Sequence, residues 1–265
     1  MPLNKYLMVL RNSLLANLVY RAHFFFMLLG TIIYLVVSWF LWRSIYANLS
    51  ELNGLSFSQA FLYVGVSLSL YGLMQNWVEW QMYHQILEGD IIRFLGKPLD
   101  YQLHLFFDTL GGIANNLVGI ALPSFLLAFF LSGHSLATAG NLIFFLLAVC
   151  LGVLINFSID FMVGLTVFLT HSIWGISTAK EVVVLFCAGA VIPLPLFPPS
   201  LRQVLEWLPF QAIYATPIQI LSAPQLEPNE LLSFFLRQLG WLIVFIILTR
   251  FLFNRAVRRI VVNGG

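Results

Sequence analysis

Charge is what this sequence has least of. Of 265 residues only 24 are formally charged, 13 Lys and Arg against 11 Asp and Glu. A soluble domain carries roughly 25% charged residues, so this chain cannot cover the surface of a water-soluble globule. With 60% hydrophobic residues it is also far too apolar to stay disordered. Cysteine is nearly absent. Cys150 and Cys187 both fall inside apolar runs with no partner at metal-ligand spacing, which excludes a readable disulfide framework and suits two buried thiols. The motifs of several chemistries are missing. The single Gly-Lys, Gly96-Lys97, is followed by Pro98, so no phosphate-cradling Gly-x-x-x-x-Gly-Lys-Ser/Thr loop can form. There is no His-Glu-x-x-His and no Gly-x-Ser-x-Gly, and His23, His84, His104, His134 and His171 are scattered. No catalytic, cofactor-binding or metal-ligating residue is expected in this chain, and no nucleic-acid partner.

What is present is a series of long apolar runs. At about 20 residues for each membrane crossing, they predict spans near Phe24–Trp42, Ser58–Trp80, Thr109–Leu131, Leu142 to Thr166 or Thr170, and Leu231–Phe253. A fifth run in chain order, Val182–Leu196, precedes the last of these and is cut by prolines. Residues 3–22 are too polar to cross. Leu3, Leu7, Leu10, Leu14 and Leu18 recur at helical steps, with Lys5, Arg11, Asn12 and Arg21 mostly on other sides, so an amphipathic interfacial helix is expected. The N-terminal residues show no compact apolar core followed by a small-residue cleavage site, and the first span is expected to act as the insertion signal.

Basic residues set the expected orientation. With the N-terminus inside, Lys5, Arg11, Arg21, Arg93, Lys97, Lys180, Arg250, Arg255, Arg258 and Arg259 fall on the inner side, against Arg43, Arg202 and Arg237 outside. That split is a strong positive-inside signal. It requires an even number of spans and puts both termini in the cytoplasm.

Prolines 193, 195, 198 and 199 end the fifth run early. Irregular backbone cannot face lipid, because its amide groups would go unpaired. The stretch 193–223 is therefore expected on the outer surface, or dipping back while covered by protein. Leu205, Trp207, Leu208, Phe210, Ile213 and Tyr214 suit short helices at the outer interface, joined near Pro209 and capped by Pro217.

Three acids lie in or near spans. Glu79 and Asp108 are placed near inner ends, within reach of headgroup water, and Asp160 is deeper. Intramembrane acids are expensive to bury unpaired. Asp160 and Asn156 thus mark a possible intramembrane polar site for substrate or protons, or else a packing contact between helices. Asn115, Asn116 and Ser158 suit further interhelical bonds.

The most polar internal stretch, 81–105, carries a second signal. Ile86, Leu87, Ile91, Ile92 and Leu95 repeat at helical spacing, with Glu88, Asp90, Arg93 and Lys97 between them, before Gly96 and Pro98. A half-apolar cytoplasmic helix of this kind suits a groove on another protein. A solvated loop is the alternative.

These residues resemble a known family. The block Ile-Leu-Glu-Gly-Asp-Ile-Ile-Arg-Phe-Leu-Gly-Lys-Pro-Leu-Asp at 86–100 matches an inner-loop pattern ending in Leu-x-Lys/Arg-Pro-Leu. Gly-Ala-Val-Ile-Pro-Leu-Pro-Leu-Phe-Pro at 189–198, followed by Leu-Pro-Phe at 208–210 and by Pro217, matches a Gly-x-x-x-Pro-Leu-x-x-Phe-Pro block and its sequel. The chain looks like a permease subunit of the type-2 ATP-binding-cassette exporters, in the daunorubicin-exporter-like branch, over nearly its whole length.

The resemblance implies an all-α membrane protein of six transmembrane helices in a single permease domain, 1–265. It would have an amphipathic connecting helix at 3–22, a coupling region at 84–100 and an outer re-entrant segment at 193–223. The chain would not be an enzyme by itself. Two copies of a separate ATPase would bind ATP and Mg, and a second permease subunit, identical or related, would complete the path through the lipids of a bacterial inner membrane. Coupling to the ATPase would fall to Ile86, Leu87, Ile91, Ile92, Arg93, Leu95 and Lys97. The outer gate would be built from Pro193, Phe197, Pro198, Leu208, Pro209 and Phe210. Substrate would leave between the two permeases, past the second and fifth spans. An ion-coupled secondary transporter using the intramembrane acids is the competing expectation, although no internal repeat of the kind common in such folds is evident.

Overall fold

A computed structural model of the chain describes residues 3–19, 21–133, 139–170, 172–223 and 226–258. In chain order, α1 (Leu3–Asn17) and α2 (Arg21–Ile45) lead to a hairpin of β1 (Glu51–Leu52) and β2 (Leu55–Ser56). Then come α3 (Phe57–Met74), α4 (Val78–Leu87), α5 (Ile91–Leu95), α6 (Tyr101–Asn116), a π-helical turn at Leu117–Ala121 and α7 (Leu122–Ser132). They are followed by α8 (Ala139–Leu165), α9 (Val167–Thr170), α10 (Trp174–Cys187), α11 (Pro199–Trp207), α12 (Ala215–Ser222) and α13 (Pro228–Val257). The hairpin turns on Asn53 and Gly54, both at positive φ, the Asn-Gly signature of a tight turn. Apart from those two-residue strands the described regular structure is helical. Five stretches are long and apolar enough to cross a membrane: Ala22–Ile45, Phe57–Leu87, Tyr101–Ser132, Asn141–Thr170 and Pro228–Val257.

α3 and α8 form the centre. Leu62, Val66, Leu70 and Met74 of α3 share one core with Ala148, Ile155 and Ile159 of α8, and with Ile213, Ile218 and Ile220. α1 lies lengthwise on α6. The Asp100 backbone N–H donates to Tyr6 Oη (3.0 Å), Ser13 Oγ to the Asp108 carbonyl (2.7 Å), and Asn115 Nδ2 to the Leu14 carbonyl (3.0 Å). At Gly111 a Cβ would fall 2.7 Å from that of Ser13, so only glycine permits this approach. The amphipathic character of α1 is thus divided between protein on one side and exposed Leu3, Leu7, Leu15 and Leu18 on the other.

The structure departs from the expected helix boundaries in four places. The second span is not one helix, because it breaks at Gln75–Trp77 between α3 and α4. Asn76 and Asn116 make the break possible. Asn116 Nδ2 donates to the Gln75 carbonyl (2.9 Å), and Asn76 Oδ1 accepts from the Val78 N–H (3.2 Å), supplying partners that lipid cannot. The third helical stretch starts at Tyr101 rather than Thr109, with Asp100 Oδ1 capping it through the Leu103 N–H (2.9 Å). Residues 86–95 form two helices rather than one, because Gly89 at φ +77° turns the chain between them.

The fourth departure has the largest consequence. Trp174–Glu181, read from sequence as part of an inner turn, belong to α10. This helix ends at Cys187, where Gly189 takes φ +70° and a Cβ would lie 2.6 Å from Leu194. Its 14 residues span about 21 Å, short of a hydrocarbon core of about 30 Å.

Residues 193–223 contain the expected pair of short helices, α11 and α12, joined through a 3₁₀ turn at Pro209–Ala212. Pro217 sits in the first turn of α12, where its missing N–H is harmless. Ile213 and Tyr214, expected at an interface, are buried in the central core. The segment runs antiparallel to α8. Asn141 Nδ2 donates to the Ala223 carbonyl (2.7 Å), and a Cβ on Gly152 would meet the Ile213 carbonyl at 3.2 Å. Eleven helical residues separate those two levels, about 16 Å. Gln238 Nε2 from α13 holds the low point through the Ala148 (3.1 Å) and Ala212 (2.8 Å) carbonyls.

Candidate functional site

The break in the second span and the early start of α10 bring three charged side chains together inside the bundle. Lys180 Nζ donates to Asp160 Oδ1 (2.7 Å) and to Glu79 Oε1 (3.0 Å). Asp160 Oδ2 accepts from Asn76 Nδ2 (2.7 Å) and Asn156 Nδ2 (2.9 Å). Ser177 Oγ, one turn before Lys180 on α10, donates to Glu79 Oε1 (3.0 Å). Glu79 and Asp160 are only 3% and 2% exposed. Glu79 Oε2 is buried and has no hydrogen-bond partner. Glu181 lies 3.5 Å from Lys180 and is partly exposed. The groups line a cavity of about 320 Å³, with exposed Trp77 and Trp174 also on its lining. Tyr214, just before α12, also lines it.

Sequence reasoning found half of this site. Asp160 and Asn156 are together as expected, 2.9 Å apart. Glu79 does not reach headgroup water, because Ser177 and Lys180 of α10 close over it. Lys180 is not an inner-loop charge, which removes it from the basic residues that orient the chain. A signal for it existed. An acid as deep as Asp160 needs a cation, Lys180 is the next basic residue along the chain, and Ser177, Lys180 and Val184 share one helical face. Asp108 is further off, accepting from Gln81 Nε2 at 3.3 Å.

The proposed coupling residues are divided by the structure. Leu87, Ile92 and Leu95 are exposed, Arg93 is exposed beside Asp90 (3.2 Å), and Lys97 lies 4.4 Å from the Phe94 ring centre. Ile91 is a correction: it is 2% exposed, in a core with Val78, Met82, Tyr101, Leu105 and Phe161. Ile86 packs partly against the same core. Neither offers its side chain freely to a partner.

The outer-gate residues also fall into two groups. Pro193 and Phe197 are buried and Pro198 is exposed. Phe197 packs with Leu194, Leu205 and Ala215, against partly buried Leu208 and Cys187. Pro209 is buried, and Phe210 packs on the central core instead.

A helical chain with five candidate membrane crossings, amphipathic α1 and no phosphate-binding loop is a multi-pass membrane protein of the permease kind. The chain belongs to the ABC-2 transporter family. The sequence profile of ABC-2 family transporter proteins matches residues 32–264, which takes in α4, α5, the charged cluster and the outer segment. No curated protein matches the chain. Membership makes it the membrane component of an ABC transporter, a kind of protein that associates with an ABC ATPase.

Proposed function

We propose that this permease serves an ATP-driven exporter, moving substrate from the cytoplasm or the inner leaflet through a permease dimer. Two copies of a separate ATPase would power it, binding the ATP and Mg for which this chain has no loop. The second permease would be identical or related. In this reading the protein lies in a bacterial inner membrane with both termini cytoplasmic. α10 together with the 188–198 turn makes a sixth, thinned crossing, and 193–223 is a re-entrant outer gate. The 16 Å drop of that segment along α8, and the packing of Phe197 on Leu205, support the gate. Nine remaining inner basic residues against three outer ones support the orientation. The daunorubicin-exporter-like branch rests on the 86–100 and 189–198 blocks.

The observation that carries the reading is the exposed apolar edge of the inner segment, Leu87, Ile92 and Leu95, on a chain without its own ATPase. Burying one such aliphatic side chain is worth about 1.5–3 kcal/mol. Ile92→Asp should therefore lose the ATPase on co-purification and uncouple hydrolysis from transport while the permease still inserts. Full retention of the ATPase and of transport by both Ile92→Asp and Leu95→Asp would remove the coupling role.

A further inference from the structure

The cluster around Lys180 is unbalanced. Two carboxylates, Glu79 and Asp160, face one ammonium, so as fully charged groups they leave one net negative charge in a place almost closed to water. Burying an uncompensated charge is among the most expensive arrangements a protein can hold, and a buried group neutralises instead. The two acids are not equally served. Asp160 receives three donors, from Lys180, Asn76 and Asn156. Glu79 receives two, both on Oε1, and Oε2 receives none.

We propose that the Glu79–Asp160 pair is a proton-binding site: at neutral pH the resting permease holds one proton shared between these two acids, whose joint charge Lys180 alone does not balance. A metal ion does not fit the vacancy. Ca²⁺ or Mg²⁺ takes about six or more oxygen ligands, and among the described residues no group of three or more His, Cys, Asp or Glu side chains could hold one. The other groups facing the pair do not supply the missing charge. Tyr71 and Tyr214 are neutral phenols on the cavity wall, Ser177 is already spent as a donor to Oε1, and Glu181 adds a further negative charge beside Lys180. The cavity behind Trp77 and Trp174 is the route by which such a proton exchanges.

The site also ties protonation to shape. Glu79 belongs to α4, which leads directly into the exposed inner segment, and Lys180 belongs to α10. A movement that draws α10 away from both α4 and α8 takes the cation from the two buried acids, and the parted state then binds the additional proton. Acid therefore favours the parted state over the closed one. The occupied proton itself follows from the cluster alone and stands whether or not the exporter reading does.

Infrared difference spectroscopy of the full chain in lipid nanodiscs reads the proton directly, as the carbonyl stretch of a protonated carboxylic acid that shifts in D₂O. Wild type should show one such band at neutral pH. Glu79→Gln should abolish it. Asp160→Asn should abolish it as well, because Lys180 then balances Glu79 alone. Lys180→Met should roughly double it, since neither acid retains a cation. This reciprocal pattern is not produced by general loosening of the fold. Should Glu79→Gln fail to assemble, the Lys180→Met and Asp160→Asn spectra still decide. A spectrum with no acid band in wild type, or a band left unchanged by all three variants, overturns the proposal.

Discussion

The cluster at Lys180 and the inner segment at 84–97 are built from the same kinds of side chain, and both branch from α4. In the first, Lys180 meets Glu79 and Asp160 at 3.0 and 2.7 Å with side chains 12%, 4% and 2% exposed. In the second, Arg93 meets Asp90 at 3.2 Å, with side chains 80% and 42% exposed. Similar distances conceal opposite energetics. Water already stabilises the exposed ions, so pairing them adds little. The buried ions have given up that water, and each depends on its partners for what was lost. The charged groups near Glu79 therefore hold helices together, while those near Arg93 are left free to meet something else. Apolar side chains show the same division one residue apart: Ile91 is enclosed and Ile92 is not.

The strongest way to break this contrast is to remove the best-served acid. Asp160→Leu takes one hydrogen-bond partner each from Asn76, Asn156 and Lys180, at a position that is itself 2% exposed. Glu79 still balances Lys180, so the cost is that of buried donors left unsatisfied, about 1–3 kcal/mol each. For a chain of this size each such donor is roughly 2–12 °C in Tm, at about 2–4 °C for each kcal/mol. Thermal unfolding of the detergent-solubilised chain measures it. A Tm within a degree or two of wild type would mean that the cluster contributes nothing to holding α4, α8 and α10 together.

A second substitution sharpens the division within the inner segment. Ile91→Asp places a carboxylate among Val78, Met82, Tyr101 and Leu105. It forfeits about 1.5–3 kcal/mol of burial and adds the cost of an unpaired buried charge. Ile92→Asp changes an exposed position and should leave stability within about 0.5 kcal/mol. Parallel melting curves separate them: Ile91→Asp should lower Tm clearly, and Ile92→Asp should lose the ATPase without losing Tm. Equal melting losses from both would show that Ile92 belongs to the fold and not to a docking surface.

Much of the architecture was legible from hydropathy, because a membrane demands long apolar helices and admits few alternatives. All five continuous apolar runs fall inside the five stretches long and apolar enough to cross a membrane. The positions that failed are those where a single polar side chain rewrites the backbone. Asn76 and Asn116 permit the break at Gln75–Trp77, and no apolar period announces it. Gly89 turns a pattern that reads as one helix into two. Hydropathy places Lys180 in a loop because it treats a charge as the end of a span, and only its partners show otherwise. Asp160 and Asn156 were readable as a pair because both lie on α8, four residues apart. Glu79 and Lys180 were not, since 101 residues separate them and only the fold brings them together. The same limit explains Ile91 and Ile92, whose helical phase depends on a turn at Gly89 that composition does not reveal.

The smallest expected effect tests the other side of the contrast. Arg93 is 80% exposed in its side chain and Asp90 42%. An exposed pair of this kind contributes about 0–1 kcal/mol, and that contribution fades as salt screens it over a Debye length of about 8 Å at physiological ionic strength. Arg93→Ala should therefore leave Tm unchanged to within about 2 °C, at 2–4 °C per kcal/mol and with most of the pair's worth screened. Any loss should disappear in high salt, whereas the loss from Asp160→Leu should persist, because salt does not enter a buried site. Melting both variants at low and high ionic strength gives four numbers, and the expected pattern is a salt-sensitive difference of near zero beside a salt-insensitive large one. If Arg93→Ala instead costs as much as Asp160→Leu and does so at every salt concentration, then the inner segment is held by its charges, and Arg93 is part of the fold in the same sense as Lys180.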